Sequence, residues 1–387
     1  MTTMTPPATV TNEEKQTLWQ DYEKGVPKRV PINLTYNPRI ILSDPTLNPE
    51  GITFEQYFKD ARTHLDVVLR FHSHLRHTIQ RYTDAPTGTP DVWVVNQMIF
   101  NVYEAAQFGA PVEFPAGQVP CTEPILNTPE DFDRLFAVDI ANPLKPGGWL
   151  DERLQFNAEL ERLAAATEFE GRPVKVAPFA PLGTDGPFTV ACNLRGTEFL
   201  MDMIAEPELA DRLLGFITDA AIHRRRALLG HYGDRIPSQG LWLADDSVAM
   251  LSIDMCRERV MPHLQRVYAE AGGSRFIHLC GDATRHFPTL HEELNVKSFD
   301  TGFPVNFGKL RAELGDEVEI FGGPEVDLLM RGTPAKVYER TVNILKSGIM
   351  RGRRFVLREG NNLPPCTPLE NLAAMYQATL DHGWHES

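Results

Sequence analysis

Arg275-Phe276-Ile277-His278-Leu279-Cys280-Gly281-Asp282 is a short apolar run that ends in a histidine, a cysteine and a glycine. Its length and flanking glycine read as a buried strand. Five similar runs occupy residues 174–177, 240–244, 297–300, 318–322 and 355–358. Stretches with helical periodicity lie between them, at 207–231, 254–271, 284–294, 334–347 and 368–382. Strands separated by helices pair in parallel through right-handed crossovers. Further strand candidates at 30–34 and within 91–100 bring the count to about eight. The expected fold is therefore α/β, a (β/α)8 TIM barrel with an N-terminal helical extension. An open doubly wound sheet is the alternative, but no Gly-x-Gly-x-x-Gly turn follows an early strand.

The remainder of the chain is read against that alternation. Residues 1–25 are expected to be a flexible Thr/Pro-rich N-terminus and a short polar helix. Residues 26–387 are expected to form one barrel domain, with helical stretches at 53–83 and 140–168. A hydrophobic content of 42% with 23% charged residues is ordinary for a globular protein. The net charge of −14 argues against nucleic acid and against an acidic membrane face. No stretch approaches the roughly 20 apolar residues of a membrane span, and the N-terminus has no signal-peptide pattern. Five scattered cysteines suit a reducing cytoplasm better than a disulfide framework.

The strand ends carry the polar chemistry. His278 and Cys280 are two residues apart at a strand end, so both side chains point to one side. An imidazole and a thiolate are two thirds of a catalytic zinc site. Cys366, in the loop between the last strand and the last helix, is the candidate third ligand. Asp245, Asp246 and Glu359 follow strand ends as candidate catalytic carboxylates, and each is also a candidate fourth donor. Asp300, Asn361 and Asn362 are the candidate substrate contacts. Local alternatives stand beside these readings: Asp245-Asp246 as a helix N-cap, and Glu359 to Asn362 as turn-shaping residues.

Several stretches together resemble the uroporphyrinogen decarboxylase superfamily over roughly residues 85–385. They are Gly186-Pro187-Phe188-Thr189-Val190-Ala191, Gly196 with Pro207-Glu208, and His278-Leu279-Cys280-Gly281. Gly322-Gly323-Pro324, Leu328-Leu329 with Gly332-Thr333-Pro334, and Thr367-Pro368-Leu369-Glu370-Asn371-Leu372 complete the set. The resemblance implies the same barrel. Features of the true decarboxylases are missing: Arg29-Val30-Pro31-Ile32-Asn33 stands where an Arg-Gln-Ala-Gly-Arg motif is expected. Met98 takes the place of the pyrrole-binding aspartate, and Gly360-Asn361-Asn362 that of a Gly-His-Gly. The chain is more similar to the corrinoid-linked methyltransferases, which hold zinc with His-x-Cys and a distant cysteine.

That branch implies a zinc-dependent transfer of a methyl group between a small substrate, a thiol, methoxy or methylamine compound, and a corrinoid. No Asp-x-His-x-x-Gly corrinoid signature occurs, so the corrinoid (cobalamin) is expected on a partner protein. The alternative is a uroporphyrinogen decarboxylase-like carboxy-lyase. Related barrels dimerise, and a homodimer is an expectation on that ground. In the coenzyme M enzymes the distal cysteine stands several residues before Thr-Pro, whereas Cys366 directly precedes Thr367-Pro368.

Overall fold

The computed structural model describes residues 10–386, Thr184 by its backbone alone. All but Val10 of the N-terminal stretch read as frayed lies outside them. A six-stranded parallel sheet runs in sequence order through Thr184–Asp185, Leu243–Ala244, Phe276–Leu279, Ser298–Thr301, Glu319–Gly322 and Phe355–Leu357. At its far edge Ile32 forms a parallel bridge with Leu357. Trp93–Val95 pairs in parallel with Arg172–Val176, which leads on to Thr184–Asp185. Taking those last two segments as one stave, eight positions surround the axis and the fold is the expected TIM barrel.

The staves are short and apolar because both faces are covered, by helices outside and by neighbouring staves inside. Ile277, Leu279, Phe299, Ile320 and Val356 are fully buried. His278, between Ile277 and Leu279, therefore turns the opposite way, toward the barrel interior.

The N-terminal end of the barrel is closed by polar anchoring. Helix Asn12–Glu23 starts with a Thr11–Glu14 capping box and carries Tyr22 in its last turn, whose hydroxyl donates to Glu319 at 2.8 Å. Glu319 also accepts from Ser298, so the first residues of two strands are tied together. Arg311, 1% exposed, donates to four carbonyls: Gly315, Val318, Ile349 and Arg354. Two of these immediately precede strands.

Some elements differ from the sequence reading for identifiable reasons. The stretch 53–83 is two helices, Phe54–Lys59 and Ala61–His77, followed by a 3-10 turn. Asp60 breaks it: it is extended, and its carboxylate caps the second helix through Thr63 N at 2.7 Å. The 91–100 run yields only Trp93–Val95 as strand, and Met98 to Phe100 turn into the cavity described below. The stretch 254–271 contains a π-turn, Cys256–Val260, just before Pro262, which has no N–H to give. Among the described residues, no helix is long and apolar enough to cross a membrane.

The first stave is held by side chains more than by a ladder. Arg29 makes a two-pronged pair with Asp84 at 2.8 and 2.6 Å, and Asp84 also accepts Ile32 N at 2.8 Å. Both side chains are buried. Removing one partner of a buried pair leaves an uncompensated charge, which costs about 3–5 kcal/mol. Urea unfolding should show Asp84→Asn losing stability of that order, and the double change Arg29→Met, Asp84→Leu recovering most of it. Equal stability of wild type and Asp84→Asn would refute this role.

Candidate metal centre and cavity

The parallel register sets His278 beside Asp300 and beside Ala244. Three strand ends thereby meet above the barrel core. His278 Nδ1 lies 2.6 Å from Asp300 Oδ2, and its Nε2 lies 2.9 Å from Cys280 Sγ. Cys280 N donates to Asp246 Oδ1 at 2.6 Å, and that oxygen is 3.8 Å from His278 Nε2. Ligand atoms of Asp246, His278 and Cys280 all fall within 4.8 Å of one another. Among the described residues this is the one such group.

Asp300 Oδ2 also accepts from Arg358 at 2.7 Å, and Arg358 donates to Glu359 Oε1 at 2.8 Å and to the Asn361 carbonyl. Burial opposes a charge on His278, but the hydrogen bonds to Asp300 and Cys280 outweigh it and lift its pKa to about 10. The ring without metal is an imidazolium at neutral pH, and an ion at Nε2 must displace that proton. The chemistry fits zinc: one nitrogen, one sulfur and one oxygen donor, with the second imidazole nitrogen held by a carboxylate.

The cluster opens into a cavity of about 680 Å3. Trp242 stacks parallel to the His278 ring at 6.5 Å and is 47% exposed. Asp246, Asp300, Arg358, Asn361 and Asn362 line the same space. So does Arg39, the first residue of the short helix Arg39–Leu42 that follows the first stave. A pocket of about 300 Å3 adjoins it and shares Arg39, Asn361 and Asn362.

The structure brings six of the expected residues around this cavity: Asp246, His278, Cys280, Asp300, Asn361 and Asn362. Asp245 and Glu359 lie behind its wall. Asp245 is fully buried and accepts Thr189 N and Oγ1 at 2.8 and 2.7 Å, at the start of helix Pro187–Arg195. It caps that helix and not its own turn, where no side-chain cap bond forms. A Cβ on Gly186 would overlap the Asp245 carboxylate, so only glycine fits there. Glu359 accepts from Thr35 N and Arg358. Burial pushes its pKa up, against the pull of Arg358.

Cys366 is not brought to the pair. It is exposed, at the entry to the last helix, Leu369–His382. The loop is pinned where Leu363 N bonds Thr35 O, then stiffened by Pro364 and Pro365. Burial and the neighbouring Asp44 both raise the Cys366 thiol pKa. The side chain that meets the pair with a potential ligand atom is that of Asp246. Arg358, Trp242 and Arg39 were missed. Arg358 carried a signal, a lone cation closing an apolar run at the catalytic end of a stave. Arg39 carried none, since its helix of four residues is too short to show a period.

Residues 75–382 match the family described as Uroporphyrinogen decarboxylase (URO-D). The chain belongs to that family. Over 221 residues this URO-D-family chain is 33% identical to the methylated-thiol–coenzyme M methyltransferase of Methanosarcina mazei, covering 56% of each. Over 214 residues it is 27% identical to the methylcobamide:CoM methyltransferase MtaA of Methanosarcina barkeri, 53% of this chain and 59% of that one. The chain thus spans little more than half the length of these curated relatives. A solved methyltransferase from Methanosarcina mazei matches with a TM-score of 0.62 over 96% of this chain and 98% of its own. At 18% identity that likeness shows the fold.

Burial raises the Asp245 pKa to about 7, although its bonds to Thr189 pull the other way. The folded state then binds more protons than the unfolded one between about pH 4 and 7, so stability falls as pH rises through that window. In metal-free protein, Asp245→Asn should therefore gain on wild type between pH 5 and pH 8. Thermal unfolding at the two pH values checks this; a constant difference would contradict it.

Proposed function

We propose that this barrel is a zinc-dependent methyltransferase that passes a methyl group between a small thiol, methoxy or methylamine compound and a corrinoid carried by a separate protein. The observation that carries the reading is the Asp246, His278 and Cys280 donor set at the floor of a roomy cavity. The names of both curated relatives, each a coenzyme M methyltransferase, agree with it. Asp246, His278 and Cys280 would hold the ion, which leaves a position for substrate. Zinc bound there would supply a Lewis acid that draws the proton from a coordinated thiol or polarises a methoxy or amine donor.

The chain's own groups do the rest. Asp300 holds the His278 ring by Nδ1, so Nε2 stays presented to the donor cluster. Arg358 fixes Asp300 in turn through an ion pair at 2.7 Å. Trp242, nearly parallel to the imidazole with ring centroids 6.5 Å apart, gives the cavity an aromatic wall beside His278. Asn361 and Asn362 offer amides to the substrate. The cavity lies at the strand ends, the face on which a corrinoid protein would dock.

The family description favours a second reading, decarboxylation of a porphyrinogen. The cavity does not suit it. Arg358 is already tied to Asp300 and Glu359, which leaves Arg39 as the one arginine of the cavity lining without a side-chain hydrogen bond among the described residues, too few for a substrate with many carboxylates.

Metal analysis of four proteins tests the site. Wild type should hold about one zinc per chain. Cys280→Ala should lose it, and Asp246→Ala should bind it at least about tenfold more weakly. Cys366→Ala should retain it. No zinc in wild type, or equal zinc in all four, removes the proposal. Loss in Cys366→Ala would mean that the 362–367 loop closes onto the cluster. Thiol-dependent demethylation of methylcobalamin by the loaded wild type tests the activity itself.

A further inference from the structure

The donor cluster is built from two rim turns that are not continuous in sequence. His278 and Cys280 close one stave and lead into the turn 281–285, which Gly281 enters at φ +67°. Asp246 opens a separate turn, Asp246–Met250, after the stave Leu243–Ala244. Each donor needs something to hold it. His278 has Asp300 at its Nδ1. Cys280 is wedged by the next stave end: a Cβ on Gly302 would come within 2.5 Å of Gly281 N, so the two backbones touch. Asp246 has neither device, and its side chain is 37% exposed.

The Asp246 turn is instead pinned at both ends. At its start Ser247 N donates to Thr189 Oγ1 at 3.0 Å. Its far end is held from the other turn, by Arg285. That side chain donates to the Ala249 carbonyl, to the Leu251 carbonyl at 2.9 Å, and to the Asp282 carbonyl of its own turn. A guanidinium offers five N–H groups in a rigid fork, and here one fork spans both turns. Arg285 itself does not line the cavity and offers no metal ligand.

We propose that Arg285 is a positioning residue of the metal centre: its fork across the two rim turns holds the Asp246 carboxylate against Cys280, where it joins the donor set. The metal-binding consequence rests on the zinc reading; the positioning rests on the hydrogen bonds alone. Partners that orient a ligand without touching the metal typically change metal affinity about 10–100-fold.

The first arm of the test measures zinc affinity by competition with a chromophoric chelator. Arg285→Met keeps the aliphatic stem and removes the donors. It should bind zinc about 10–100-fold more weakly than wild type, with Arg285→Lys between the two. In an Asp246→Ala background the same Arg285→Met change should alter zinc affinity less than about twofold, because the group it positions is gone. No loss in Arg285→Met, or an equal loss in both backgrounds, overturns the proposal.

The second arm needs no metal. It follows hydrogen exchange of the Cys280 amide, whose acceptor is Asp246 Oδ1. Arg285→Met should speed that exchange at least about tenfold and leave the amides of Ser298–Thr301 within about twofold of wild type. Unchanged exchange at Cys280, or the same rise in both segments, overturns the proposal. If Arg285→Met does not fold, Arg285→Lys carries both measurements, with smaller changes of the same sign expected and unchanged values counting against Arg285. If wild type holds no zinc, the zinc reading fails, and the exchange arm still decides for or against Arg285.

Discussion

A single carboxylate oxygen holds the candidate site together. Asp300 Oδ2 accepts from His278 on one side and from Arg358 on the other, at 2.6 and 2.7 Å. The three residues stand on three different staves, and only the register of those staves brings them to one point. His278 pairs directly with Asp300, and Arg358 follows the strand that pairs with Glu319–Gly322. A shift of one residue in the Phe276–Leu279 strand would turn His278 to the helix layer and Ile277 or Leu279 into the cavity. Barrel closure and site assembly are therefore one constraint. The apolar neighbours Ile277 and Leu279 hold the register by burial, and the polar side chains inherit their positions from it.

Much of this was legible because the signals are local. From residue 170 onward, short apolar runs alternate with helical periods, and each run became a stave. The His278–Cys280 spacing alone places both side chains on one side. What was not legible depends on long-range contacts or loop direction. Asp245 and Asp246 are adjacent, yet one caps a helix that begins nearly sixty residues earlier and the other reaches the cavity. Nothing in a dipeptide decides which goes where. Cys366 was read by its place in chain order, but a bond from Leu363 to Thr35 and two prolines carry it outward. The first stave is fixed by Arg29 and Asp84, 55 residues apart, a pairing that no periodicity announces.

The family and its relatives are reconciled at the level of the site. One barrel hosts different reactions because the strand ends, not the strands, supply the chemistry. Here the rim presents a nitrogen, a sulfur and an oxygen donor beside the Arg39 guanidinium, and the features that would mark a tetrapyrrole site are absent from the sequence. The scaffold is that of the URO-D family, and the functional groups on its rim set this chain's reading.

The opposite end of the barrel has its own logic. Arg311 gathers four carbonyls there, and Tyr22, Glu319 and Ser298 link the N-terminal helix to two strand starts. None of these groups lines the cavity. Closure is thus anchored a full strand length from the chemistry. Loops at the rim can change in length and composition without loosening the end that keeps the staves together. That separation gives the lineage evolutionary latitude: new specificities can be sampled at one pole while the other preserves foldability.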